Sequence, residues 1–301
     1  MGKNRSILGS VWKVLVAGIV YAVGAILGGG LVALLGLELP RFPMEVDPAV
    51  QLPLLFAGGV AMAAGLAAIG AGIAGRWWEK WAVVALFVFV VNGVGNALEG
   101  SIFTTLGSQG ALLLSNTVAG VLCALAVSLL FPAPPGSKLA EQVRAIRSRW
   151  RSTRLLGRLF LALLAFPLFY FFFGAIIAPI VVPHYQQLDF LIIPPMPTML
   201  TVLLVRSAMF LVVSLLVIAA WRGSRLGLII ALGLAHFVTV GFAGLIQTTF
   251  FPAVLRWTHS IEILADSMFY AWALVWLLVP RPLGRKEESP EVAQTVHARA
   301  V

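Results

Sequence analysis

The chain has 301 residues, of which 60% are hydrophobic and 11% charged, and its mean hydropathy is +0.98. Soluble domains carry about 25% charged residues, so this composition excludes a soluble globular protein and describes an integral membrane one. The net charge of +9 does not point to nucleic acid, because the basic residues gather at the ends of alternate apolar runs. The single cysteine, Cys123, excludes an intrachain disulfide and a cysteine-based metal site.

An apolar helix of about 20 residues crosses a hydrocarbon core of about 30 Å. Eight runs qualify, at 14–37, 51–75, 81–103, 110–131, 159–182, 197–220, 225–250 and 257–280. The first follows a basic start (Lys3, Arg5, Lys13) and is too long for a signal-peptide core, so it reads as a retained span. Strand-like alternation is absent, which argues against a barrel.

Charge then orients the bundle. One side collects Lys3, Arg5, Lys13, Arg76, Lys80, the basic residues of the 132–158 connector, Arg222, Arg225, Arg281, Arg285 and Lys286. The other side holds Arg41 and Arg256. The positive-inside rule puts both termini in the cytoplasm and fits a bacterial-type inner, plasma-membrane location. Trp12, Trp77, Trp78, Trp81, Trp150, Trp221 and Trp276 fall near the same boundary, as an aromatic belt does.

The expected fold is an all-α integral membrane protein with eight transmembrane helices in a parallel 4+4 pseudo-repeat. Each half has a span, a proline-rich outer loop (39–43 and 194–197), a second span, a short turn with Trp and Arg, and a hairpin. A shift of 144 residues lays Gly100-Ser101-Ile102-Phe103-Thr104-Thr105 on Gly244-Leu245-Ile246-Gln247-Thr248-Thr249, and Asn92 on His236. With four spans per half, the copies share one orientation, related by an axis along the membrane normal. Residues 1–131 and 159–282 form the two membrane units. Residues 132–158 form a cytoplasmic connector, and 283–301 a polar tail expected to be disordered.

Span 2 is dense in Gly and Ala between Ala57 and Gly72, which permits close backbone approach and suits the middle of the bundle. Span 5, with Phe166, Phe169, Tyr170, Phe171, Phe172 and Phe173, is bulky all round and reads as lipid-facing or between units; Pro167 and Pro179 are potential kinks. In the connector, Leu139, Val143, Ile146 and Trp150 recur at helical spacing among arginines. The 138–152 stretch is therefore expected to lie on anionic lipid.

Ionisable groups inside a span are costly, face the bundle interior and mark functional sites. In the last span His259, Glu262 and Asp266 stand at i, i+3 and i+7 on one face. Span 3 carries Asn92, Asn96 and Glu99 at i, i+4 and i+7, span 7 carries His236, Thr239 and Gln247, and span 6 carries Arg206. At 1.5 Å per residue, Arg206 and Asp266 lie at a similar depth, about 12 Å from the outer end, which makes Asp266 the first expected partner of Arg206 and Glu262 the second. His259, near the interface, reads first as a solvated loop residue. His236 alone on an apolar face, and Asn92 with Asn96, have plain structural readings as helix-bridging groups.

Histidine and carboxylates supply metal-ligand types, but the spacing H-x-x-E-x-x-x-D is not a recognised metal pattern, and there is no HExxH, Walker, GxSxG or DxxxD motif. No metal and no cofactor is expected. If Arg206 neutralises one acid, the others leave a net negative pocket in the outer half of the bilayer, suited to a proton or a cation. The sequence therefore reads as a proton- or cation-coupled permease for a small solute. Glu99, Arg206, Glu262, Asp266, His236, Asn92, Asn96, Gln247 and His259 are its candidate site. The alternatives are a scaffold or sensor subunit contacting its partner through the basic connector, and a membrane-embedded enzyme on a lipid or isoprenoid with Asp266 or Glu262 as acid or base.

Overall fold

The computed structural model describes residues 7–40, 47–134 and 153–279, with Leu139, Glu141 and Arg144. It is all-helical, with eight helices long and apolar enough to cross a membrane. In chain order these are α1 (Ile7–Leu34), α2 (Pro48–Gly70), α3 (Trp77–Phe103), α4 (Gln109–Leu130), α5 (Thr153–Tyr185), α6 (Met196–Ala220), α7 (Arg225–Gln247) and α8 (Ala253–Leu278). The expected spans recur with ends displaced by a few residues. Helices α1 and α5 start earlier than hydropathy suggests, because backbone hydrogen bonding does not stop where polar residues such as Lys13 and Arg158 begin. Apart from Leu139, Glu141 and Arg144, which are helical, the basic 138–152 stretch lies outside the described residues, as do the 41–46 loop and the 283–301 tail.

Local chemistry fixes several helix starts. Asp47 accepts from the Ala49 N–H (2.8 Å) with Pro48 behind it, and Ser224 accepts from the Gly227 N–H (3.0 Å). The Arg76 N–H donates to Glu79 Oε2 (2.8 Å) at the start of α3. Two helices carry an unexpected feature: α3 passes through a π turn at Phe89–Val94 and α7 through one at Val238–Phe242. Helix α5 runs on through Pro167, Pro179 and Pro183.

In the first half α1 packs on α4 and α2, and α3 on α4; in the second α5 packs on α8 and α6, and α7 on α8. Between halves α2 meets α7, α3 meets α6, and the two π turns touch. Element ends fall in pairs: Pro48 and Met196 open α2 and α6, Trp77 and Arg225 open α3 and α7, and Leu130 and Leu278 close α4 and α8, each pair 148 residues apart.

Small residues make the tight seams. A Cβ on Gly59 would stand 2.6 Å from the Gly18 carbonyl oxygen, and one on Gly28 2.8 Å from Ser115 Cα. Span 2 is thus an interior helix, held against α1 on one side and α7 on the other. Span 5 is two-faced: Phe160, Leu168, Phe172 and Ile176 are exposed, whereas Ala162, Ala165 and Phe166 are buried against the bundle. Its bulk serves lipid on one side and the protein interior on the other.

Backbone bridges tie the ends. At the end where α1 begins and α8 closes, the Ala74 N–H donates to Ala220 O and the Arg222 N–H to Gly72 O (3.0 Å each), pairing Ile73 with Trp221. At the opposite, distal end, the Thr105 N–H donates to Phe190 O (2.9 Å) and the Ile192 N–H to Phe103 O (2.8 Å). The Phe190 ring there lies against Phe250 and Phe251.

Candidate functional site

Arg206 is the largest fully buried side chain among the described residues. It sits in the first half of α6, 1% exposed, and its guanidinium forms an ion pair with Glu99 Oε2 at 2.8 Å. The expectation of an Asp266 partner is therefore corrected. Depth along a helix says nothing about which neighbour is adjacent, and α6 lies against α3. The guanidinium also stands 5.7 Å from the Phe166 ring centre and 5.4 Å from that of Phe210, distances at which an aromatic face attracts a cation. One residue on, Ser207 Oγ donates to Leu163 O of α5 (2.6 Å), which fixes α6 against the turn carrying Phe166. Glu99, near the end of α3, is 34% exposed, so the pair has one buried and one partly open member.

Helix α8 supplies the second part. His259 is a helical residue of α8 rather than a loop residue. Its Nδ1 lies 2.7 Å from Glu262 Oε2 and its Nε2 2.6 Å from the Tyr185 hydroxyl, with the Tyr185 and His259 rings stacked at 5.7 Å. Glu262 and Asp266 are both buried. A Cβ on Gly174 would come 3.3 Å from Glu262 Oε1, so the absence of a side chain there leaves room for the carboxylate against α5. Asp266 is 5% exposed, and its Oδ1 has no hydrogen-bond partner among the described residues; the same holds for Arg206 Nε. Asp266 is within electrostatic reach of Glu262 and Arg206, and Tyr170 within reach of Glu99, Arg206 and Glu262. Five of the nine predicted residues (Glu99, Arg206, His259, Glu262 and Asp266) thus form one group between α3, α5, α6 and α8.

The other four lie elsewhere. Asn96 Nδ2 donates to Asn92 Oδ1 (3.2 Å) and to Thr239 O (3.4 Å), a link between the two π-bearing helices. His236, 1% exposed, has Ser214 Oγ 2.9 Å from its Nε2 and the rings of Phe87, Phe210 and Tyr270 around it. These groups form a neutral layer joined to the charged one through shared aromatics, since Phe210 touches both Arg206 and His236. Gln247 lies apart: its Nε2 donates to Ala243 O (2.8 Å), and it fills the space beside Gly58 in the α2–α7 seam, next to Tyr21.

Sequence reasoning missed Tyr170, Tyr185, Ser207 and Ser214. Tyr170 was hidden in the aromatic run of α5, where nothing separates a ring on the bundle side from one in lipid, and Tyr185 lay past the expected end of the span at 182. Helical periodicity gives a partial signal: Phe166, Tyr170 and Gly174 follow one another at i+4 on the face that meets α6 and α8. Among the described residues no group of three or more His, Cys, Asp or Glu side chains is arranged to hold a metal ion.

Fold and cluster together define the class: an all-helical, multipass membrane protein with a charged group inside its helix bundle. Comparison with protein-family models, curated proteins and solved structures gives no match for this chain.

Proposed function

We propose that the protein is a proton- or cation-coupled permease for a small solute, residing in the plasma membrane with both termini in the cytoplasm. The observation that carries this reading is the charge balance of the cluster: three carboxylates (Glu99, Glu262, Asp266) and one permanently cationic side chain (Arg206) gather within an apolar bundle. Glu99 and Arg206 neutralise each other and hold α3 to α6. Glu262 and Asp266 remain as the groups that take up a positive charge, with Tyr170 beside them and Asn92, Asn96 and His236 in the adjoining neutral layer.

Internal symmetry supports the same reading. The packing pairs α1–α4 and α2–α7 correspond to α5–α8 and α6–α3 when the halves are exchanged. Such exchange is what a parallel repeat about an axis along the membrane normal produces. In that repeat Ile73 and Trp221 are equivalent residues bridging across the axis, and the π turns are equivalent turns meeting on it. The register is 148 through the π turns, so Asn92 corresponds to Val240 instead of His236. The 144 shift applies from the distal end of α3, where Phe103 corresponds to Gln247, to the start of α4, where Gln109 corresponds to Ala253. Two similar units facing each other can rock about a shared site, the geometry of alternating access.

The test uses purified protein in vesicles with a pH dye inside, challenged with gradients of amino acids, sugars, organic acids and amines, with and without sodium or potassium. At least one class should move protons or show cation-dependent uptake, and Glu262→Gln with Asp266→Asn should stop it. Vesicles in which no solute class moves and no ion movement follows would overturn the proposal.

A further inference from the structure

We infer that the coupling ion is the proton, that Glu262 and Asp266 hold it between them, and that it enters from the distal end through Tyr185 and His259. The inference rests on the permease reading and specifies its ion and its path.

The cluster leaves little for a metal cation to use. Glu99 is taken by Arg206, and the two remaining acids lie one helical turn apart on α8, in no group of three or more His, Cys, Asp or Glu arranged to hold a metal ion among the described residues. Both acids are buried and Asp266 lies within electrostatic reach of Glu262, so a shared proton relieves the repulsion of two like charges taken out of water. The charged and titratable groups around them come from each neighbouring helix: Glu99 from α3, Tyr170 and Tyr185 from α5, Arg206 from α6, and from α7 His236, which meets α8 at Tyr270. Arg206 Nε and Asp266 Oδ1, an unpartnered donor and an unpartnered acceptor, mark the buried end of the path.

The entrance is a chain of hydrogen bonds. Tyr185 ends α5 at the distal surface, and its hydroxyl lies 2.6 Å from His259 Nε2; His259, 18% exposed, then meets Glu262 through Nδ1 at 2.7 Å. The Tyr185 hydroxyl gives its proton to Nε2 as it takes one from a hydronium ion at the surface, leaving water, and the imidazolium so formed passes its Nδ1 proton to Glu262 Oε2. One proton enters, one O–H bond forms on Glu262, and the imidazole is left neutral with its proton on Nε2. Both links are short enough for transfer without movement of the helices. The stacking of Tyr185 on His259 keeps the rings in place.

The experiment is infrared difference spectroscopy of the full-length protein in lipid during a pH jump, which reads the C=O band of a protonated carboxyl without any solute. Wild type should gain the band on acidification, and Glu262→Gln with Asp266→Asn should lack it. His259→Phe and Tyr185→Phe should keep its amplitude but slow its appearance by about a hundredfold. Protection of the buried Cys123 from alkylation shows that each variant is folded. Absence of the band in wild type, its persistence in the double variant, or unchanged kinetics in folded His259→Phe and Tyr185→Phe would each overturn the inference. A band without any solute flux would keep the proton site and refute the permease; flux without the band would do the reverse.

Discussion

Removing Glu99 should harm this protein more than removing Arg206, although the two form one ion pair. Glu99→Gln leaves the guanidinium of Arg206 in place, 1% exposed and unable to shed its charge. Breaking a buried pair from that side costs about 3–5 kcal/mol. The figure should fall near the lower end, because Asp266 lies within electrostatic reach of Arg206 and takes over part of the role. Arg206→Met leaves Glu99 34% exposed and free to turn toward the distal surface. What is lost is mainly the cation's contact with Phe166 and Phe210, about 1–2 kcal/mol. The double variant should return close to Arg206→Met, because Glu99 no longer has a buried charge to serve, giving a coupling of about 3 kcal/mol, the cost of Glu99→Gln alone. The chain carries its own reporter: Cys123 is its single cysteine and is fully buried in α4. Its alkylation in mild detergent, as a function of added denaturing detergent, measures unfolding directly. A Glu99→Gln variant as stable as wild type, or an Arg206→Met variant less stable than Glu99→Gln, would refute the reasoning.

The same thiol assay checks the packing. Gly28→Ala should destabilise by about 1–3 kcal/mol, since its Cβ meets Ser115 Cα at 2.8 Å. Gly29→Ala, with nothing near the added methyl, should be neutral or stabilise α1 by up to about 1 kcal/mol. Ser214→Ala should cost about 1–3 kcal/mol, because it strips the hydrogen bond from His236 Nε2 when Nδ1 is already without one. Gly72→Ala presses a methyl into the Trp221 indole and should both lower stability by about 1–3 kcal/mol and shift the tryptophan emission; an unchanged spectrum would argue against the Ile73–Trp221 bridge.

How much of this was legible in the sequence follows from the physics of each feature. The eight helices were, because a span must satisfy its backbone internally and face lipid with apolar side chains, a requirement each segment meets by itself. The face shared by His259, Glu262 and Asp266 was too, since helical spacing fixes it locally. What the sequence left open was adjacency. The partner of Arg206 turned out to be Glu99 because α6 packs on α3, and no property of Arg206 or of Asp266 encodes that packing. Gln247, chosen for its stripe on α7, went to the α2 seam because Gly58 leaves space there. Tyr185 joined His259 only once α5 lay along α8, and among so many aromatics its hydroxyl gave no sign of which helix it would meet. The π turns were equally hidden: each inserts one residue into a helical turn, a change too small to disturb hydropathy. Composition and periodicity are properties of a segment, and they determined that the chain crosses the membrane and where. Which polar groups meet depends on small residues and bulky rings meshing between segments, and that was decided only when the eight helices packed.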